Sequence, residues 1–101
     1  MRILLTIQFP LEPFNQYARE GTVGQIIQDI LEDAKPEAVY FTEQHGARGA
    51  VMVIDVASVD RVPFYAEPWF LKFNASCEFR IAMTPEDLQN ANLDVLGRKW
   101  S

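Results

Sequence analysis

Apolar and polar positions alternate along the first stretch of the chain. In Arg2 to Phe9, Ile3, Leu5, Ile7 and Phe9 fall on one side of an extended backbone and Leu4 and Thr6 on the other. This predicts a strand, closed by Pro10 and Pro13. The spacing then turns helical. Phe14, Tyr17 and Ala18 begin it, with Gly21 and Gly24 weakening the interior. From Thr22 the stripe is clear: Val23, Ile26, Ile27, Ile30 and Leu31 recur at helical intervals, Thr22 with Gln25 predicts a capping box, and Lys35-Pro36 ends the run.

The stretch Ala38 to Val56 predicts a hairpin turning at Gly46-Ala47, with glycine supplying a positive φ. That register pairs His45 with Arg48, Glu43 with Ala50, Phe41 with Met52 and Val39 with Ile54 on one face. Tyr40, Thr42 and Gln44 lie opposite Val53, Val51 and Gly49 on the other. Both faces carry apolar residues, whereas a sheet with one wet face alternates cleanly. The second face therefore predicts a cover that the chain cannot spare from its own length, namely a second copy of itself.

A helix follows, capped by Ser58 or Asp60, with Pro63 in its first turn and Val59, Val62, Ala66, Trp69 and Phe70 roughly on one side. Pro68 predicts a bend or a broken end. Asn74 to Met83 predicts the last strand, with Cys77, Phe79, Ile81 and Met83 on one face and Glu78, Arg80 and Ala82 on the other. Thr84-Pro85-Glu86-Asp87 is a helix start, and Leu88, Ala91, Asn92, Val95 and Leu96 continue the helical period to a stop at Gly97. The predicted order is βαββαβ followed by a C-terminal helix over about residues 85–96. This is the α+β, ferredoxin-like pattern: one domain over residues 1–101, a core at 2–83, and a four-stranded antiparallel sheet with two helices on one face. The C-terminal helix is not needed by that core and can reach across to a partner.

Composition narrows the function. The chain has 101 residues, 49% of them apolar, enough for one real core. Its net charge of −5 argues against nucleic acid and anionic membranes as partners. A single cysteine, Cys77, allows no internal disulfide and suits a reducing, cytoplasmic setting. The opening MRILLTIQF lacks the length and cleavage site of a secretory signal, and no apolar run approaches a membrane span.

The element order, short length and doubly apolar sheet resemble the dimeric α/β-barrel superfamily over about residues 2–83. The run Ala66 to Leu88, AEPWFLKFNASCEFRIAMTPEDL, with the strand around Arg48 to Asp55, is similar to a group of short uncharacterised bacterial proteins within it. The segments Glu67-Pro68-Trp69-Phe70 and Thr84-Pro85-Glu86-Asp87 carry that closer likeness. The resemblance implies a homodimer built sheet to sheet, with a pocket between sheet and helices. It implies no particular activity, since the superfamily holds cofactor-free monooxygenases, lactone isomerases, haem-degrading enzymes and stress-associated proteins without assigned chemistry.

Few residues offer chemistry. His45, the one histidine, can serve as a general base, but no acid or nucleophile is fixed beside it, and a solvated turn residue is the plainer reading. One histidine and one distant cysteine make no zinc or haem ligand set, so no metal and no cofactor are expected. Glu78 and Arg80 share a strand face and, if enclosed, must pair or bind something; Tyr40 can add a hydrogen bond. These three are the catalytic candidates, against a salt bridge across a dimer and a space-filling tyrosine. Phe14, Tyr17 and Trp69, with Glu67 as polar neighbour, are the ligand-binding candidates, against plain core packing. Cys77 has no basic neighbour to activate it. Two functions stay open: a small enzyme or binder acting on an apolar or aromatic molecule without a tightly held cofactor, or a non-catalytic structural or protein-interaction dimer.

Overall fold

A computed structural model describes all residues from Met1 to Ser101. Strands β1 (Arg2–Gln8), β2 (Ala38–Gln44), β3 (Ala47–Asp55) and β4 (Ser76–Ala82) form one antiparallel sheet in the order β2-β3-β1-β4. Helices α1 (Phe14–Glu20), α2 (Val23–Ala34) and α3 (Val62–Phe73) contribute to the core, and α4 (Pro85–Asn90) and α5 (Leu93–Lys99) follow β4. The architecture is α+β and compatible with a ferredoxin-like fold.

The alternation read in β1 organises the core. Ile3, Leu5 and Ile7 lie opposite Ile54, Met52 and Ala50 of β3, and all six are buried. The helices cover this side: Ile30 of α2 and Trp69 and Phe73 of α3 complete the buried cluster, with Val23, Ile26, Ile27 and Leu31 packed against it. No residue of α4 or α5 joins it.

Several local expectations are corrected. The hairpin turns at His45-Gly46, both at positive φ (52° and 79°), and the Glu43 carboxylate accepts a 2.7 Å hydrogen bond from the Gly46 N–H. Phe41 therefore faces Ala50, Val39 faces Met52 and Glu43 faces Arg48. This slips the expected pairing by two residues, and an even slip keeps every side chain on its assigned face. Thr22 precedes α2 without capping it; its hydroxyl donates instead to the Tyr17 carbonyl, and Gly21 in the left-handed region joins α1 to α2. Pro68 neither breaks nor ends α3, which runs on to a left-handed Asn74. The last strand is shorter than Asn74 to Met83. The C-terminal helix divides at Asn92 (φ 55°), and Gly97 lies inside α5 rather than stopping it. The Thr84 start is as expected, with reciprocal hydrogen bonds of 3.0 Å between Thr84 and Asp87.

Gly49 is required by close approach. A Cβ there meets the Gln44 Cβ at 2.7 Å and the Ile7 carbonyl oxygen at 2.9 Å. Gly49→Ala should therefore destabilise the chain by about 1–3 kcal/mol through overpacking. Urea titration will show this as a lower midpoint with an unchanged slope.

Candidate functional site

The face of the sheet turned away from the helices is uncovered. Its side chains run in rows across the strands. One row is Ala38, Val53, Leu4 and Arg80; the next is Tyr40, Val51, Thr6 and Glu78; the third is Thr42, Gly49, Gln8 and Ser76. Leu4, Val51 and Val53 are half-buried by their neighbours, and Thr6 is fully buried in the middle. Charges gather at the end of the sheet, where Arg2 binds Glu37 at 3.1 Å.

The three catalytic candidates all stand on this face but do not converge within one chain. Glu78 and Arg80 are adjacent, Oε2 to Nη2 at 3.5 Å, with both side chains more than half exposed. An exposed pair of that geometry adds little stability. Tyr40 lies on β2, at the opposite edge of the sheet from β4. Three strand spacings of about 4.8 Å separate the two edges, roughly 14 Å. A ligand small enough to fit a pocket cannot touch both groups of one chain.

The ligand-binding candidates divide differently. Phe14, Tyr17 and Trp69 meet through Phe9 and Phe73: Phe9 contacts Phe14, Trp69 and Phe73 with ring centroids 5.1–5.8 Å apart, and Tyr17 meets Phe73 edge-on at 5.5 Å. The Tyr17 hydroxyl donates to the Lys72 carbonyl at 2.8 Å, and the Arg48 guanidinium sits 4.3 Å above the Phe14 ring. Trp69 is fully buried and its indole N–H has no acceptor. No pocket opens among these rings. They fill the core against one another, which is the packing alternative. Glu67 is exposed and acts on Cys77 rather than joining the aromatic set.

Burial, then the Glu67 carboxylate, pushes the Cys77 thiol up to about 11. The folded chain holds that proton above the ordinary value of 9.0, so this contribution to stability is constant at neutral pH and declines as pH rises from about 9 towards 11. Iodoacetamide should accordingly alkylate native Cys77 more slowly at pH 8 than the urea-unfolded chain, a difference readable by mass spectrometry. His45 is an exposed turn residue.

Reading the sequence missed Thr6 as the polar centre of the free face. Its signal was a lone hydroxyl in an otherwise apolar run of β1. It also missed Trp100, 76% exposed beyond the core. No group of three or more His, Cys, Asp or Glu side chains is placed to hold a metal ion, and no helix is long and apolar enough to cross a membrane. The fold and face define a small α+β protein with an open antiparallel sheet. No protein-family model and no curated protein matches the chain.

Proposed function

We propose that this protein works as a homodimer, two sheets facing each other as a dimeric α/β barrel, and that the space between them takes a small apolar or aromatic molecule without a tightly bound cofactor. The observation that supports this reading is the free face itself. It has apolar Leu4, Val51 and Val53 around the buried Thr6, flanked by Tyr40 at one edge and Glu78 with Arg80 at the other. A two-fold operator sets the same patch against itself, and packed sheets lie about 10 Å apart. Tyr40 of one copy can then approach Glu78 and Arg80 of the other, a meeting that one chain alone does not allow. In that setting Arg80 orients an anionic or polar end of the ligand, Glu78 accepts a proton or a hydrogen bond, and Tyr40 donates one.

The test is sedimentation equilibrium at micromolar concentration, followed by native mass spectrometry against a panel of small aromatic acids. A mass twice that of the 11.5 kDa chain, and binding weakened at least tenfold in Arg80→Met, support the reading. A monomer mass refutes it. A second reading, a dimer that binds no small molecule, is favoured by the filled aromatic core. A dimer indifferent to the whole panel would select it.

A further inference from the structure

None of the last nineteen residues joins the core of its own chain. Met83, Leu88, Leu93, Val95, Leu96 and Trp100 are all 44–76% exposed. Leu93, Leu96 and Trp100 recur at helical spacing along α5, so one side of that helix is an apolar stripe without a partner. The molecule measures 60 × 28 × 20 Å with a radius of gyration of 17.0 Å. A compact chain of this length has a radius of gyration of about 13 Å. The difference is an arm, and its root explains its direction. Only Met83 and Thr84 separate β4 from α4, Thr84 is extended (φ −73°, ψ 163°), and the Thr84–Asp87 capping box fixes the start of the helix. Arg2, at the end of the sheet, is among the charges that keep the Asp87 carboxyl below its usual range, behind the two Thr84 hydrogen bonds. The arm thus leaves from the rim of the free face.

A surface is left bare to receive it. Phe79 and Ile81 lie on the helix side of β4, yet neither joins the core cluster, and they are 43% and 75% exposed. We infer that the arm of each copy docks on a second copy of this chain, its α5 stripe closing over Phe79 and Ile81 of the partner's β4 edge, and that the exchange is reciprocal. The surface area supports this occupant. The chain exposes 6859 Å². A compact monomer of its mass exposes about 5,800 Å². The excess, about 1,000 Å², is close to the roughly 800 Å² that each partner contributes to a stable interface. The arm springs from the rim of the proposed sheet-to-sheet contact, and by rounding the partner's β4 edge it reaches Phe79 and Ile81 on the helix side of that strand. This inference rests on the homodimer reading above and adds the arm to it.

Two tryptophans make the test direct, because Trp69 is fully buried and Trp100 is not. Iodide quenching of the full chain reports Trp100. We expect Trp100 to be protected at micromolar concentration and to become quenchable on dilution, in step with dissociation followed by sedimentation. Leu96→Glu lies outside the core, so circular dichroism should report an intact fold. It should expose Trp100 and raise the dimer dissociation constant about a hundredfold or more, since each dimer loses two buried leucines. A stable dimer with quenchable Trp100, unmoved by Leu96→Glu, overturns the arm exchange and leaves the sheet-to-sheet dimer standing. Trp100 protected in a monomer at every concentration means the arm folds onto its own chain, which also overturns it. A monomer with quenchable Trp100 removes both readings.

Discussion

Trp69→Ala should cost about 3–5 kcal/mol, a large share of the roughly 5–15 kcal/mol that holds a domain folded. Trp69 has no exposed surface and stands at the centre of the helix–sheet contact, with Phe9 edge-on at 5.8 Å and Phe73 stacked at 6.0 Å. Removing the indole strips both rings of a partner and leaves a void that α3 cannot close, because Ala66 and Phe73 pin the helix on either side. Trp69→Phe separates volume from polarity. The indole N–H lacks an acceptor, and such an orphan costs about 1–3 kcal/mol. Phenylalanine removes that penalty while leaving a smaller gap, so its loss should be well under half that of alanine. Guanidinium titrations of the three chains will order them wild type, Trp69→Phe, Trp69→Ala. A Trp69→Phe loss equal to that of alanine would overturn the assignment of the larger share to ring volume.

That buried tryptophan shows what the sequence disclosed and what it did not. Its place on the core side of α3 was legible, because Val62, Ala66 and Trp69 follow the helical period, but the buried neighbour that completes this side is Phe73 rather than the expected Phe70. The two faces of every strand were legible for the same reason, since alternation is local. The hairpin register was not. Gly46 serves a two-residue turn at either the first or the second central position, and the choice was made by the Glu43 carboxylate and by His45 accepting a positive φ. Pro68 was expected to disturb α3, but one missing N–H is tolerated where the helix is held by Trp69 and Phe73 two turns or less away. The break at Asn92 interrupts the helical period of Leu88, Ala91, Val95 and Leu96. With no core against the arm, nothing rewards keeping the two halves in line, and asparagine enters the left-handed region cheaply.

The candidate site was legible only in pieces. Alternation placed Glu78 and Arg80 on one face and Tyr40 on the same side of the sheet. Strand order is a long-range property, and β2 and β4 fall at opposite edges. The distance that divides the site within one chain is thus invisible to spacing. The aromatic set drew attention for the opposite reason: composition cannot distinguish rings that line a pocket from rings that fill one. Here Phe9, absent from the candidate set, supplies the ring that closes the space.

Val53→Lys should abolish the proposed dimer while leaving most of the helix-side core in place. Val53 sits on β3, an inner strand, flanked by Ala38 on one side and Leu4 on the other, at the middle of the free face. It takes no part in the buried cluster beneath the helices. In a lone chain a lysine there can extend its ammonium into water, so the monomer should lose only about 1 kcal/mol or less. Between two facing sheets the same ammonium is enclosed, and the two-fold operator encloses it twice. Each charge loses its hydration without a carboxylate opposite, a cost of several kcal/mol per ion. That is more than a micromolar dimer, held by about 8 kcal/mol, can absorb. Sedimentation equilibrium should give a dimer for the native chain and a folded monomer of near 11.5 kDa for Val53→Lys, with far-ultraviolet circular dichroism little changed. Val53→Thr, which keeps the shape and adds only a hydroxyl, should fall between them. An unaltered association constant in Val53→Lys would place the contact elsewhere on the molecule and remove the barrel from consideration.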